Sequence, residues 1–171
     1  IVFSIIGSLF TAINGFYIPI ISMPLSIVGF IDDKKEISSS IRYISQIIIS
    51  FFLFFDSPLK ENLTNYPILL TYLIIIFIST AIINFCNFID GLDGLLISCM
   101  TITLTTLALS QHNIFPLIGC LIAFTIFNWS PAKIFMGDSG STFLGAVFVG
   151  LLMKNNNFLE LIKSILLITP I

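Results

Sequence analysis

Charge is confined to a few short stretches of this chain, and the apolar runs between them are long. Ile1 to Ile31 carries no charged residue, and neither does Tyr66 to Phe88, Leu95 to Leu109 or Ile114 to Trp129. A helix needs roughly 20 consecutive apolar residues to cross a bilayer. Of the 171 residues 57% are hydrophobic and 9% charged, with a mean hydropathy of +1.09. Soluble domains hold about 45–50% apolar and about 25% charged residues, so the soluble class is excluded. Disorder is excluded too, because the chain carries 18 phenylalanines and almost no charge runs. The expected fold is all-α, a polytopic integral membrane helix bundle with about six to seven spans. Residues 1–171 are read as a single transmembrane domain.

Turn residues punctuate the runs. Asn14-Gly15 separates a first helix at about 1–12 from a second at about 15–31. Pro19 and Pro24 make the second one kinked or irregular. A polar loop from Asp32 to Ser40 precedes an apolar run from Tyr43 to Phe55. A polar segment from Asp56 to Asn65 then leads into Tyr66–Phe88, the cleanest span of all. The remaining expected spans are Leu95–Leu109, Ile114–Trp129 and Phe143–Met153, with a last amphipathic or spanning segment from Phe158. The chain starts at Ile1 rather than Met and stops at Thr169-Pro170-Ile171 inside an apolar segment, as expected of a fragment.

Counting crossings places the loops at Asp32, Asp90 and Asp138 on one face of the membrane. The Asp56 loop and the Gln111 turn lie on the other. Lys34, Lys35, Arg42 and Lys133 accompany the aspartates, against Lys60 and Lys154 opposite. The positive-inside bias makes the aspartate face cytoplasmic.

Asp32, Asp33, Asp90, Asp93 and Asp138 are five of the nine acidic residues. Carboxylates gathered at a membrane boundary repel one another and are costly unless hydrated, paired or bound to a cation. Oxygen-only ligands suit Mg2+, with Mn2+ as an alternative, and such an ion keeps positions open for substrate phosphates. Gly91 and Gly94 interleave with Asp90 and Asp93, while Gly137 and Gly140 flank Asp138-Ser139. Glycine lets backbone approach a ligand closely, and the helix opening at Gly140-Ser141 favours anions at its start. Lys34, Lys35 and Lys133 are available as phosphate contacts.

Plainer roles exist for each group. Asp32-Asp33 reads equally as a solvated loop, Asp90-Gly-Leu-Asp-Gly as a turn with a helix cap, and Gly137-Asp-Ser-Gly as an N-cap. Asn87 reads as a helix end whose amide satisfies backbone groups. His112 lies in the opposite turn and reads as an ordinary polar residue. Cys86, Cys99 and Cys120 have no CxxC spacing and read as small core residues. A net charge of -2 with seven basic residues leaves no footprint for nucleic acid. The alternative function is an ion-coupled membrane transporter, whose aspartates belong near the bilayer midplane. Here they fall at span ends.

Three segments resemble the signatures of a known family. These are Gly29-Phe-Ile-Asp-Asp-Lys-Lys-Glu-Ile-Ser-Ser-Ser-Ile-Arg-Tyr-Ile-Ser-Gln46, Asn87-Phe-Ile-Asp-Gly-Leu-Asp-Gly94, and Phe127-Asn-Trp-Ser-Pro-Ala-Lys-Ile-Phe-Met-Gly-Asp-Ser-Gly-Ser-Thr-Phe-Leu-Gly145. In order and separated by spans, they are similar to the motifs of the polyprenyl-phosphate N-acetylhexosamine-1-phosphate transferases, glycosyltransferase family 4. The resemblance covers essentially the whole chain. It implies magnesium-dependent transfer of a sugar 1-phosphate from a UDP-sugar to undecaprenyl phosphate, with release of UMP. That reaction starts a peptidoglycan precursor or a cell-envelope polysaccharide such as lipopolysaccharide O-antigen.

By the same resemblance Asp138 is a magnesium ligand, with Asn87 as its partner through the amide oxygen. Asp32 or Asp33 is the base, or the group positioning the lipid phosphate. Asp90 and Asp93 hold substrate or nucleotide, or one of them is a nucleophile. Direct displacement and a covalent intermediate both stay open. The implied setting is the bacterial inner membrane with a cytoplasmic active site and membrane lipid as a partner, and a homodimer is allowed. Full-length members carry a basic, glycine-rich N-terminal loop and a later loop with His and Arg. Neither is present here, and the second helps define the donor sugar.

Overall fold

The computed structural model describes residues 1–59, 67–108 and 112–154. Among these residues the regular structure is entirely helical. The helices are α1 (Val2–Ile13), α2 (Ile18–Lys34), α3 (Ser39–Phe55), α4 (Ile68–Ile89), α5 (Leu95–Ala108), α6 (Phe115–Asn128) and α7 (Gly137–Lys154). A 3-10 turn at His112–Ile114 leads into α6.

The apolar runs become helices within a few residues of their expected ends, because hydrophobicity and turn residues set those limits locally. Two polar loops are shorter than hydropathy suggests. Asp32, Asp33 and Lys34 form the last turn of α2, and α7 begins at Gly137 instead of near Phe143. Pro24 lies inside α2, which runs on through it. Lys60, Glu61, Gln111 and the expected segment from Phe158 lie outside the described residues.

α4 contains the one described helix, Leu69–Ile89, long and apolar enough to cross a membrane. Only 17% of its apolar window is buried, unlike the core helix of a soluble protein. Phe77 and Phe88 on it are 74% and 84% exposed. Helices α1, α3, α5 and α6 are apolar but shorter, at 12, 17, 14 and 14 residues. Some of their hydroxyls are met within their own helix: Thr101 donates to the Ile97 carbonyl and Thr125 to that of Leu121. Such back-bonding satisfies a polar side chain where no water is at hand.

α7 is the axis of the bundle. Every residue from Ser139 to Met153 is buried, and the helix packs most extensively on α2, then on α4 and α3. A helix apolar all round must be covered all round. Small residues allow that: a Cβ on Gly145 would sit 2.9 Å from the Ile83 Cα of α4, so the two backbones nearly touch. α1 joins from the side, against α6 and α2. A chain of hydroxyls ties α1, α2 and α7 together inside this apolar packing. Ser4 and Ser26 lie 2.7 Å apart, Ser26 and Ser139 lie 3.1 Å apart, and Ser139 also donates to the Ser26 carbonyl at 2.9 Å.

Candidate active site at one end of the bundle

The end of α2, the start of α3, the end of α4 and the start of α7 meet at one end of the bundle. The aspartates therefore sit at helix ends, where the sequence places them, and not midway along a span.

Asp33 is the joint between α2 and α7. Its Oδ1 accepts the Asp138 N–H at 2.9 Å and its Oδ2 accepts the Ser139 N–H at 3.2 Å. The first N–H groups of a helix lack partners within it and favour a negative charge. A carboxylate supplied by another helix meets both needs. Gly137 makes the arrangement geometrically open: its φ is +65°, and a Cβ there would fall 2.7 Å from the Asp33 Oδ2. This borrowed cap explains why α7 starts before its apolar run does.

Asp32 faces inward beside it. Its Oδ1 accepts the Ile37 N–H at 2.9 Å, and its Oδ2 lies 3.0 Å from Nη1 of Arg42. The same Nη1 lies 3.4 Å from Oδ2 of Asp138. Asn87 donates to the Asp138 carboxylate, and Asp138 and Asp32 also share a hydrogen bond. Burial pushes Asp138 above the ordinary carboxylate range, and the neighbouring Asp32 and Asp33 add to that, against the Asn87 amide. For Asp32, burial works upward, but the Ile37 N–H, Asp138 and Arg42 outweigh it and hold the group low. Asp90, just past α4, accepts the Gly137 N–H; burial, with Asp138 and Asp33 adding to it, pushes it to about 7.

Asp32, Arg42, Asn87 and Asp138 line a narrow cleft together with Gln46 and Asn84. These last two amides pair reciprocally, Asn84 Nδ2 donating to Gln46 Oε1 at 2.8 Å and Gln46 Nε2 to Asn84 Oδ1 at 3.2 Å.

Asp93 is placed apart from this group. Its Oδ2 accepts the Ala132 N–H at 3.0 Å, and it lines a separate pocket with Gly94, Ser98 and Trp129. Asn128 completes the junction: it accepts the Gly94 N–H at 3.2 Å and donates to the Ile134 carbonyl at 2.9 Å. Gly94 turns at φ +74° to reach it. Lys34, Lys35 and Lys133 are exposed, and Nζ of Lys34 sits 4.2 Å above the Phe30 ring.

The sequence singled out none of Arg42, Gln46, Asn84 or Asn128 as a site residue. The available signal was a polar side chain inside or beside an apolar run, which is costly unless it meets a partner.

The donor set suits a hard divalent cation. Among the described residues no three acidic, histidine or cysteine side chains converge as one metal cluster. Asp32 and Asp138 do converge, with the Asn87 amide beside them, and Mg2+ is ordinarily held by one or two carboxylates plus substrate phosphates. The residues present fit that mode.

The family model for "Glycosyl transferase family 4" matches residues 15–156. A Bacillus subtilis protein named "Probable undecaprenyl-phosphate N-acetylglucosaminyl 1-phosphate transferase" is 32% identical over 136 residues, covering 70% of this chain and 38% of that protein. A "Phospho-N-acetylmuramoyl-pentapeptide-transferase" of Deinococcus radiodurans is 32% identical, covering 75% of this chain and 47% of its own length. One of the same name from Staphylococcus epidermidis is 31% identical, covering 83% and 54%. The chain spans about half the length of the curated relatives it matches, or less.

Proposed function

The chain belongs to glycosyl transferase family 4, and on that premise we propose that it moves a sugar 1-phosphate from a UDP-sugar to undecaprenyl phosphate, releasing UMP. The sugar is an N-acetylhexosamine, and the product is a lipid-linked precursor of peptidoglycan or of another cell-envelope polysaccharide. The observation that carries this reading is the convergence of Asp32, Asp90 and Asp138 with Asn87 around the capped start of α7. The names of the relatives supply the substrates.

A water-soluble donor and a lipid acceptor can meet only where water and bilayer meet. Residues at the ends of apolar helices stand at that boundary. The apolar, little-buried α4 supports a membrane-integral bundle, and the lysines beside the aspartates support a cytoplasmic face.

Two anions must approach one another in this transfer. Asp138, Asp32 and the Asn87 amide would hold Mg2+. When bound, that ion neutralises charge on the phosphates and stabilises the leaving UMP. Asp33 spends both oxygens on the α7 N–H groups, so its part is positioning: it fixes where Asp138 points. Asp90, poised near neutral pH, is the group suited to holding or passing a proton beside the phosphates. Lys34, Lys35 and Lys133 are exposed cations in the segments that carry the aspartates, available to substrate phosphates.

Asp138→Asn in the full chain is expected to lower UMP release by at least about 100-fold, the scale of losing a transition-state charge stabiliser. The assay supplies magnesium, undecaprenyl phosphate and a panel of UDP-sugars, and reads UMP and lipid product together. Turnover near that of the parent would remove Asp138 from the metal site. No UMP from any donor would sink the transferase reading.

A further inference from the structure

Arg42 answers two carboxylates with a single nitrogen at this end of the bundle. Its Nη1 lies 3.0 Å from Oδ2 of Asp32 and 3.4 Å from Oδ2 of Asp138. We propose that Arg42 and a divalent cation are alternative bridges between Asp32 and Asp138, the guanidinium holding the pair until the ion takes its place. The identity of the ion rests on the function proposed above; the exchange itself does not.

The two carboxylates are fixed and the guanidinium is not. Asp32 is 9% exposed and tied to the Ile37 N–H. Asp138, at 27% exposure, sits in the first turn of α7, whose start Asp33 holds. Arg42 enters from the first turn of α3 on a long side chain that is 44% exposed, so it can swing out into solvent.

Size makes the two bridges exclusive. A magnesium ion binds oxygen at about 2.0–2.1 Å, well inside the Nη1 distances, so the ion would need the space the guanidinium nitrogen now fills. Charge makes the exchange favourable: with Asp33 and Asp90 close by, the pair lies in a field that one monovalent side chain only partly offsets. A displaced Arg42 leaves a free cation at the mouth of the cleft, beside the phosphates the site is proposed to bind.

The test is Mn2+ binding to the full-length protein, followed by electron paramagnetic resonance without donor or acceptor. Arg42→Gln is expected to bind Mn2+ about twofold to fivefold more tightly, because a half-exposed ion pair of surface strength no longer competes. Without metal Arg42→Gln should melt at a lower temperature than the parent, and saturating Mn2+ should close that gap. Arg42→Lys, a point charge without the planar fork, should bind Mn2+ more tightly than the parent but less tightly than Arg42→Gln. It carries the comparison if Arg42→Gln does not fold. Unchanged or weaker Mn2+ binding in both variants, or a melting gap that persists at saturation, overturns the proposal. UMP release is scored separately. Its absence with the exchange intact overturns the transferase reading alone, and UMP release without the exchange overturns this proposal alone.

Discussion

Asp90 holds its proton far more tightly than a carboxyl in water, and the consequence is a stability that depends on pH. Its ordinary value is 3.8, and burial raises it to about 7 in the folded chain. Between those values the folded protein keeps a proton that the unfolded chain releases, so raising the pH through this window removes stability. Asp138, also raised, acts in the same direction, while Asp32, held low, acts oppositely at more acid pH. Metal-free protein is therefore expected to melt at a lower temperature at pH 8 than at pH 5. Asp90→Asn, with no proton to lose, should show a flatter profile. Matching profiles would show that Asp90 is not the titrating group. The five aspartates were legible because so few other charges obscure them. Asp33 and Asp93 show the limit of that reading. Each accepts backbone N–H groups from a segment distant in sequence, and no local pattern reports such a partner. That Arg42, Gln46 and Asn84 line the cleft was not legible for a related reason, since which side chains face one cleft depends on how the helices around it are rotated.

The start of α7 is set by contact between elements, not by its own sequence. Hydropathy alone begins this helix near Phe143, but Asp33 caps it and Gly29 of α2 lets the two backbones close. A Cβ on Gly29 would collide with backbone atoms of Asp138 and Ser139, which cannot swing aside as a side chain could. Gly29→Ala is therefore expected to cost about 1–3 kcal/mol of stability, the usual range for overpacking, and to loosen the Asp33 cap. Thermal unfolding checks it. An unchanged melting temperature would mean that α2 and α7 sit farther apart than described. α1, α4, α5 and α6 were legible to within two residues, because a charge-free run bounded by Asn14-Gly15 or Asp90-Gly91 carries its own limits, whereas α2 and α3 take in polar residues beyond their apolar runs.

Over the whole molecule, the proposed topology puts the 90–94 turn and the 129–136 loop on one side of the membrane and the 112–114 turn on the other. In a cysteine-free background, a membrane-impermeant thiol reagent should label Leu92→Cys and Phe135→Cys from the same side and Asn113→Cys from the opposite side. Labelling of all three from one side would overturn that arrangement. Leu92 and Phe135 are 65% and 72% exposed, so access does not limit the experiment. The same apolar character has a further consequence through Ser4, Ser26 and Ser139. Lipid gives greasy helices little reason to prefer one another at any particular height, so their alignment rests on close-fitting small residues and on polar contacts. The hydroxyl chain meets at only one setting, and Ser139 belongs both to it and to the turn that Asp33 caps. The seam thus works as a vernier: it converts a choice of vertical alignment deep in the bundle into the height at which Asp138 stands at the end of the bundle.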